Sequence, residues 1–325
     1  MRAIVLCLRS LLIAAPAALL PAPPASAQEL TLRAVSAFAE GTEFSRHFER
    51  FIEKVNSDGR GVIRINYIGG PRAVPPFEVG NAVRTRVVDM ANVTGAFYTN
   101  LMPEADGLKL NGKPMREQRK NGTWEYINEL HHQKLNAQYL ARQFHNVPFH
   151  IYLNKKIEKN DFSGLKIRVT PVYKDIVEAL GGAPITTAPG EVYTALERGV
   201  VDGYGWPITG IFDLGWDKVT RFRMEPPFYS VEVNVLLNLD VWGSLSEAQR
   251  QVLMNAALWL EDLDSEKEAA IKAERERQAG AGIQALDFGP EASKAFLQRA
   301  YDVAWESVIK RAPQTGPRLR QLAGN

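Results

Sequence analysis

The stretch FSGLKIRVTPVYKDIVEALGGAPITTAPGEVYTALERGVVDGYGWP, Phe162 to Pro207, decides the fold class. Leu165, Ile167 and Val169 alternate with Lys166 and Arg168, the period-2 pattern of a strand. Thr170 and Pro171 then read as a helix N-cap and first helical residue. Val172, Tyr173, Ile176, Val177 and Leu180 form one helical face, which Gly181-Gly182 ends. Pro184 to Thr187 reads as a short strand. A second helix opens at Thr187/Pro189 and closes at Gly199, and Val200-Val201-Asp202 is extended again. Strand, helix, strand, helix, strand in roughly fifty residues is α/β architecture. Arg168 stands at the carboxyl end of its strand, where open α/β sheets present ligand-binding groups to a crevice. The competing reading is an ordinary surface ion pair.

The same alternation extends towards the N-terminus. Leu30 to Ala37 reads as a strand, and Thr42 caps a helix with Phe44, Phe48, Phe51, Ile52 and Val55 on one face. Val62 to Ile68 is the next strand, Phe77 to Val87 a weaker helix and Val88 to Val93 another strand. These β-α units predict a parallel sheet. Lys113 to Asn136 is polar and helical. Ala137 to Ala141 and Phe149 to Leu153 read as two strands with a turn at Asn146-Val147-Pro148 between them. Beyond the central stretch, Tyr229 to Leu239 is a long apolar strand fit to return the chain between domains. Ser246-Glu247-Ala248-Gln249 is a capping box opening a helix to about Gln278. A last helix, Pro290 to Arg311, precedes a tail expected to fray.

The N-terminus reads differently. Arg2 and Arg9 precede the apolar run Leu11 to Leu20, and Ala25-Ser26-Ala27 is a small-x-small cleavage signal. Residues 1–27 therefore read as a secretory signal peptide cleaved after Ala27, too short and Pro-interrupted to span a membrane. Cys7 lies inside it, so the exported chain carries no cysteine and no disulfide, and a large core must hold it. A chain of about 300 residues can supply that core. The formal charge of +2 falls to zero without Arg2 and Arg9, which argues against nucleic acid or an anionic membrane as partner. No other apolar run is long enough to insert into a bilayer.

Catalytic signatures are missing. The sequence has no G-x-S-x-G, no P-loop, no H-E-x-x-H and no G-x-G-x-x-G after a strand. His131 and His132 are adjacent on a helix and point apart, so they do not suit a metal. No pair of carboxylates is singled out for glycoside chemistry. An exported α/β chain without a catalytic constellation is best read as a binding protein, no enzyme, with no cofactor and no metal. Two lobes joined by crossing strands would make a hinged cleft.

GLKIRV (Gly164 to Val169), PVYKDIVEALG (Pro171 to Gly181), GEVYTAL (Gly190 to Leu196) and GVVDG (Gly199 to Gly203) together resemble the DctP-type substrate-binding proteins of tripartite ATP-independent periplasmic (TRAP) transporters. Val88-Asp89-Met90-Ala91 and Asn238-Leu239-Asp240-Val241-Trp242 extend the resemblance over most of the chain. The resemblance implies a periplasmic, two-lobed fold with a hinged cleft and a long C-terminal helix spanning the lobes. Lobe I is expected at 28–149 plus about 232–270, and lobe II at 150–231 plus about 271–325. The implied partners are an organic-acid ligand and the small and large membrane permease subunits. The arginine of the K-I-R motif, here Arg168, is implied to grip the ligand carboxylate. A guanidinium fork matches a carboxylate bidentately and lysine does not.

Two departures from the family bear on the ligand. The position of a frequent second arginine holds His150, which offers less charge for a second carboxylate. Asp202 to Pro207 reads D-G-Y-G-W-P where many members have D-G-Q-E-N-P. Trp206 then offers an apolar wall with one donor, and Gly205 enlarges the space. Tyr204 and Tyr173 are further candidates. So are Phe38 and Glu43 after the first strand, Thr94 and Tyr98 after the Met90 strand, and Asn234 on the return strand. These features favour a monocarboxylate with a flat or apolar body, such as a 2-oxo or aromatic acid. The alternatives are a C4-dicarboxylate-binding member of the family, a receptor of another transport or sensor system, and an exported hydrolase.

Overall fold

The computed structural model describes residues 29–263 and 267–323; the expected signal peptide, 1–27, lies outside them. Two parallel wings are built on one sheet. The first wing is β2 (Ile63–Gly69), β1 (Leu30–Ser36) and β3 (Met90–Val93). The second is β7 (Gly203–Pro207), β5 (Lys166–Val169) and β6 (Ala183–Thr186). Between them run two long antiparallel strands, β4 (Ala137–Leu153) and β9 (Tyr229–Asn238), giving the order β2-β1-β3-β9-β4-β7-β5-β6. Two short strands, β8 (Phe222–Met224) and β10 (Gln284–Leu286), attach to the end of β4. The expected α/β class and parallel pairing are present.

The expected pair of strands on either side of Pro148 is one strand with two irregularities. Register shifts between Tyr139 and Ala141 and between Gln143 and Val147, and Phe144 and Asn146 take positive φ. The turn chemistry of Asn146-Val147-Pro148 was therefore real, but it bends a strand instead of ending one, because Val231 and Ser230 pair across it. The helix expected from Thr170 starts at Lys174, and residues 170–173 form the turn that leaves β5. The third extended run begins at Gly203, three residues later than its apolar residues suggested. The helical region Lys113–Asn136 is split into Met115–Gln118 and Thr123–Leu135 by Gly122 at φ 83°.

Helix Glu43–Asp58 buries Phe44, Phe48, Phe51, Ile52 and Val55, the face read from its spacing. Thr42 stands at its N-cap but gives its hydroxyl to Ala39 O instead. The cap comes from the second wing: Asp213 Oδ2 accepts from Glu43 N at 2.8 Å and from Arg46 Nη1 at 3.1 Å. The capping box at Ser246 is formed in both directions, with Ser246 N donating to Gln249 Oε1 and Gln249 N to Ser246 Oγ. Its helix ends at Asp262, and a second helix, Lys267–Gly280, follows. The first packs on the Glu43–Asp58 helix, while Gln278 of the second donates to Ile208 O at 2.6 Å, so the pair crosses from wing to wing. Helix Pro290–Arg311 has the expected bounds and packs on the 3-10 segment Pro103–Leu110 and on helix Lys174–Ala179. The tail expected to fray forms a helix, Gly316–Ala323, with Leu319 buried against the first wing's elements.

Candidate functional site

A cavity of about 60 Å³ lies between the wings. Phe38, Phe44, Thr94, Phe97 and Lys109 line it from the first wing. Phe149, Arg168, Thr170, Tyr173 and Trp206 line it from the second, and Tyr229 to Glu232 of β9 close the back. Seven of the lining residues are aromatic. Phe38 stands 5.4 Å from Phe44 and 5.8 Å from Phe97, and Phe44 meets Trp206 edge-on at 5.6 Å.

Arg168 is 0% exposed. Its Nε and Nη2 donate to Thr187 O at 3.0 and 2.6 Å, and Nη1 donates to Tyr173 Oη at 3.1 Å. Tyr173 in turn donates to Gly205 O at 3.1 Å. Burial raises the pKa of that phenol, so it stays a neutral hydroxyl. Three of the five guanidinium N–H groups are thus used, and one remains on each terminal nitrogen. Among the described residues no carboxylate pairs with Arg168. Trp206 Nε1, beside Gly210, is buried without a hydrogen-bond partner among the described residues.

Gly205 does not enlarge the space as expected. A Cβ there would stand 2.6 Å from Tyr173 Cε2 and 2.8 Å from Phe149 Cε1, so the two rings fill what the missing side chain vacates. That approach is what seats the Tyr173 hydroxyl under Arg168.

The other wall is built around Glu232, 3% exposed. Its Oε1 accepts from Thr94 Oγ1 and Gly95 N, both at 2.8 Å, and its Oε2 accepts from Asn234 Nδ2 at 2.6 Å. Burial pushes its pKa up to about 7, against the pull of the Arg142 charge and of these donors. Arg142 itself is fully buried, and its guanidinium has no hydrogen-bond acceptor among the described residues. Lys109 lines the cavity too, but its ammonium is held by Asp106, donates to Val172 O at 2.7 Å and lies over the Tyr229 ring at 4.7 Å. Asp106 also pairs with Arg311.

Of the residues singled out from the sequence, Arg168, Trp206, Tyr173, Thr94 and Phe38 meet at this cavity. The structure places five elsewhere. His150 is buried beside β8, its Nδ1 donating to Met224 O at 2.9 Å, and burial lowers its basicity to about pH 4. Tyr204 stacks on Tyr152 at 5.1 Å and gives its hydroxyl to Thr220. It belongs to an aromatic cluster with Trp216. Glu43 lines a separate, neighbouring pocket and is bound to Arg46 at 2.6 Å. Tyr98 and Asn234 stand behind Glu232, with Asn234 Nδ2 donating to Tyr98 Oη at 3.0 Å.

Glu232, Lys109, Phe149 and Tyr229 were missed. For Glu232 a signal existed: in Ser230-Val231-Glu232-Val233-Asn234, an acid sits mid-strand between valines on the same face as Asn234. Lys109 and Phe149 carried none, because only the packing of distant segments brings them here.

Among the described residues, no helix is long and apolar enough to cross a membrane. The profile described as bacterial extracellular solute-binding protein, family 7 (DctP), matches residues 35–311. A solute-binding protein of Roseobacter denitrificans is 25% identical over 248 residues, 74% of this chain and 76% of that one. A monocarboxylate 2-oxoacid-binding periplasmic protein of Nostoc is 25% identical over 172 residues, 50% of this chain and 46% of its own length. A TRAP periplasmic solute-binding protein of Desulfovibrio salexigens, solved with bound orotic acid, superposes with a TM-score of 0.81 at 20% identity, covering 91% and 97% of the two chains. The wings are thus the two lobes of a known receptor fold. The chain belongs to the DctP-type family of extracellular solute-binding proteins, the receptors, not enzymes, of TRAP transporters.

Proposed function

We propose that this protein captures a monocarboxylate with a flat or apolar body, such as a 2-oxo or aromatic acid, in the periplasm and delivers it to the small and large permease subunits of a TRAP transporter. The observation that carries the reading is Arg168: a fully buried cation with no carboxylate partner among the described residues and one N–H left on each terminal nitrogen. A buried charge without a counter-ion is costly, and a ligand carboxylate would offset that cost while taking both N–H groups. Thr170 adds a hydroxyl on the same wall. Seven aromatic rings contribute to the lining, which suits a flat or apolar body.

A dicarboxylate is less well served. His150 lies away from the cavity, and the Lys109 charge is already met by Asp106. The Nostoc relative is a 2-oxoacid monocarboxylate binder, in keeping with this reading. The lobes would divide as 28–149 with about 232–270, and 150–231 with about 271–325, Arg168 being carried by the second.

The test is a thermal-shift screen of organic acids on the wild type and on Arg168→Ala. A ligand at a hundredfold excess over Kd stabilises by about 2.7 kcal/mol. Monocarboxylates should shift the wild type and not the variant. Shifts by succinate or malate alone, or shifts retained in the variant, would overturn the reading.

A further inference from the structure

We infer that Glu232 is a specificity-determining acceptor, so that the ligand carries an N–H or O–H donor in addition to the carboxylate held by Arg168. This rests on the function proposed above. The argument begins from a count of lone pairs. A carboxylate accepts about four hydrogen bonds, two on each oxygen. Glu232 Oε1 receives two, from Thr94 and Gly95, while Oε2 receives one, from Asn234. One acceptor position on Oε2 is left, and Glu232 lines the cavity.

The network behind Glu232 fixes its role as acceptor. His131 Nδ1 lies 2.7 Å from Ile127 O, a pure acceptor, so Nδ1 carries the proton and Nε2 accepts. Nε2 is 3.0 Å from Tyr98 Oη, which therefore donates to it and can only accept from Asn234 Nδ2 at 3.0 Å. Tyr139 Oη donates to Asn234 Oδ1 at 2.8 Å, which holds the amide the same way round. The second N–H of Asn234 is thus aimed at Glu232. His131, Tyr98, Tyr139, Asn234 and Glu232 are all buried. Four groups are spent on orienting one carboxylate, with a lone pair to spare, at a cavity whose other carboxylate, Asp106, is taken up by Lys109 and Arg311. An acceptor so placed selects for a donor on the ligand, because an acid lacking one leaves the oxygen desolvated and unpaired.

The pyrrole-2- and pyrrole-3-carboxylates and their furan counterparts test this, since each pair differs only in replacing a ring N–H by an ether oxygen. Affinities are measured by calorimetry on the full chain at millimolar ligand. The wild type should prefer at least one pyrrole acid over its furan partner by about tenfold or more. In Glu232→Gln, which puts an N–H where the acceptor stood, that preference should shrink to about threefold or invert. Glu232→Asp withdraws the acceptor but keeps the acid, and serves as a second variant whose preference should also fall. Equal binding of both pairs by the wild type, or an undiminished preference in a folded variant, overturns the inference. Arg168→Ala separates the two readings. If it leaves affinity intact while Glu232→Gln removes the preference, the anchor is wrong and the acceptor stands. If none of the four acids binds the wild type, both fall.

Discussion

The wall carrying Arg168 and the wall carrying Glu232 each bury an ion, and they neutralise it by different means. Glu232 is met by three donors and by the nearby Arg142 charge, all from its own lobe and from β9. Arg168 is met by a carbonyl and a hydroxyl, with no opposing charge among the described residues. The first arrangement is nearly complete in the protein alone, whereas the second leaves room for an anion. In the function proposed above, the charge holds the ligand and the hydrogen-bond network chooses it.

Removing the incomplete ion should have the largest effect. Truncating one partner of a buried, hydrogen-bonded charge pair costs about 2–5 kcal/mol. Arg168→Ala should therefore weaken carboxylate binding by roughly 30-fold or more in calorimetric titration. Arg168→Lys should restore only part of it, since an ammonium lacks the fork. Full affinity in either variant would remove the asymmetry between the walls.

The complete ion should show itself through pH. The Glu232 carboxyl titrates near 7 in the fold, above the ordinary value of 4.5. Between those values the native state holds more protons than the unfolded chain, so this group's contribution to stability falls as pH rises and then levels above 7. Glu232→Gln should gain on the wild type by about 2–3 kcal/mol between pH 4.5 and 7.5, read from urea unfolding at each pH. The opposite trend belongs to His47, His131 and His150, which burial lowers to about 4. Their contribution is present above about 6.5 and lost as pH falls towards 4, in wild type and variant alike. A wild-type-minus-variant difference that is flat with pH would show that Glu232 stays ionised.

Gly205→Ala probes the support beneath Arg168. Its Cβ would meet the Tyr173 ring at 2.6 Å, an overpacking that costs about 1–3 kcal/mol. The variant should lose that much in chemical denaturation and lose affinity as Tyr173 moves from under the guanidinium. An unchanged midpoint would mean the ring yields freely.

The smallest effect should come from the contact that ties the walls together. Asp213, beyond the second wing's last strand, caps the Glu43–Asp58 helix of the first wing. Loss of a cap costs about 1 kcal/mol, so Asp213→Ala should speed ligand release about fivefold in stopped-flow measurements. A slower association at unchanged release would assign Asp213 to steering instead.

The α/β class, the Glu43–Asp58 helix and the Pro290–Arg311 helix were legible because each is written in a local period of apolar residues and a stop signal. Arg168 was legible through its place at the end of β5 and the motif around it. Trp206 and Tyr204 are two residues apart on one strand, yet Trp206 lines the cavity and Tyr204 stacks on Tyr152. That outcome depends on which rings arrive from β4 and from the segment around Trp216.

By itself the sequence determined the α/β class, the main helices and the receptor family, and it singled out Arg168, since these depend on neighbours in the chain. Only the tertiary structure decided that Gly205 makes room for a tyrosine instead of a ligand, that His150 turns to Met224, and that Glu232 faces the cavity from the other wall. Each of those depends on contacts between segments tens of residues or more apart, and the energy of burying a polar group is set by whatever partners those segments bring.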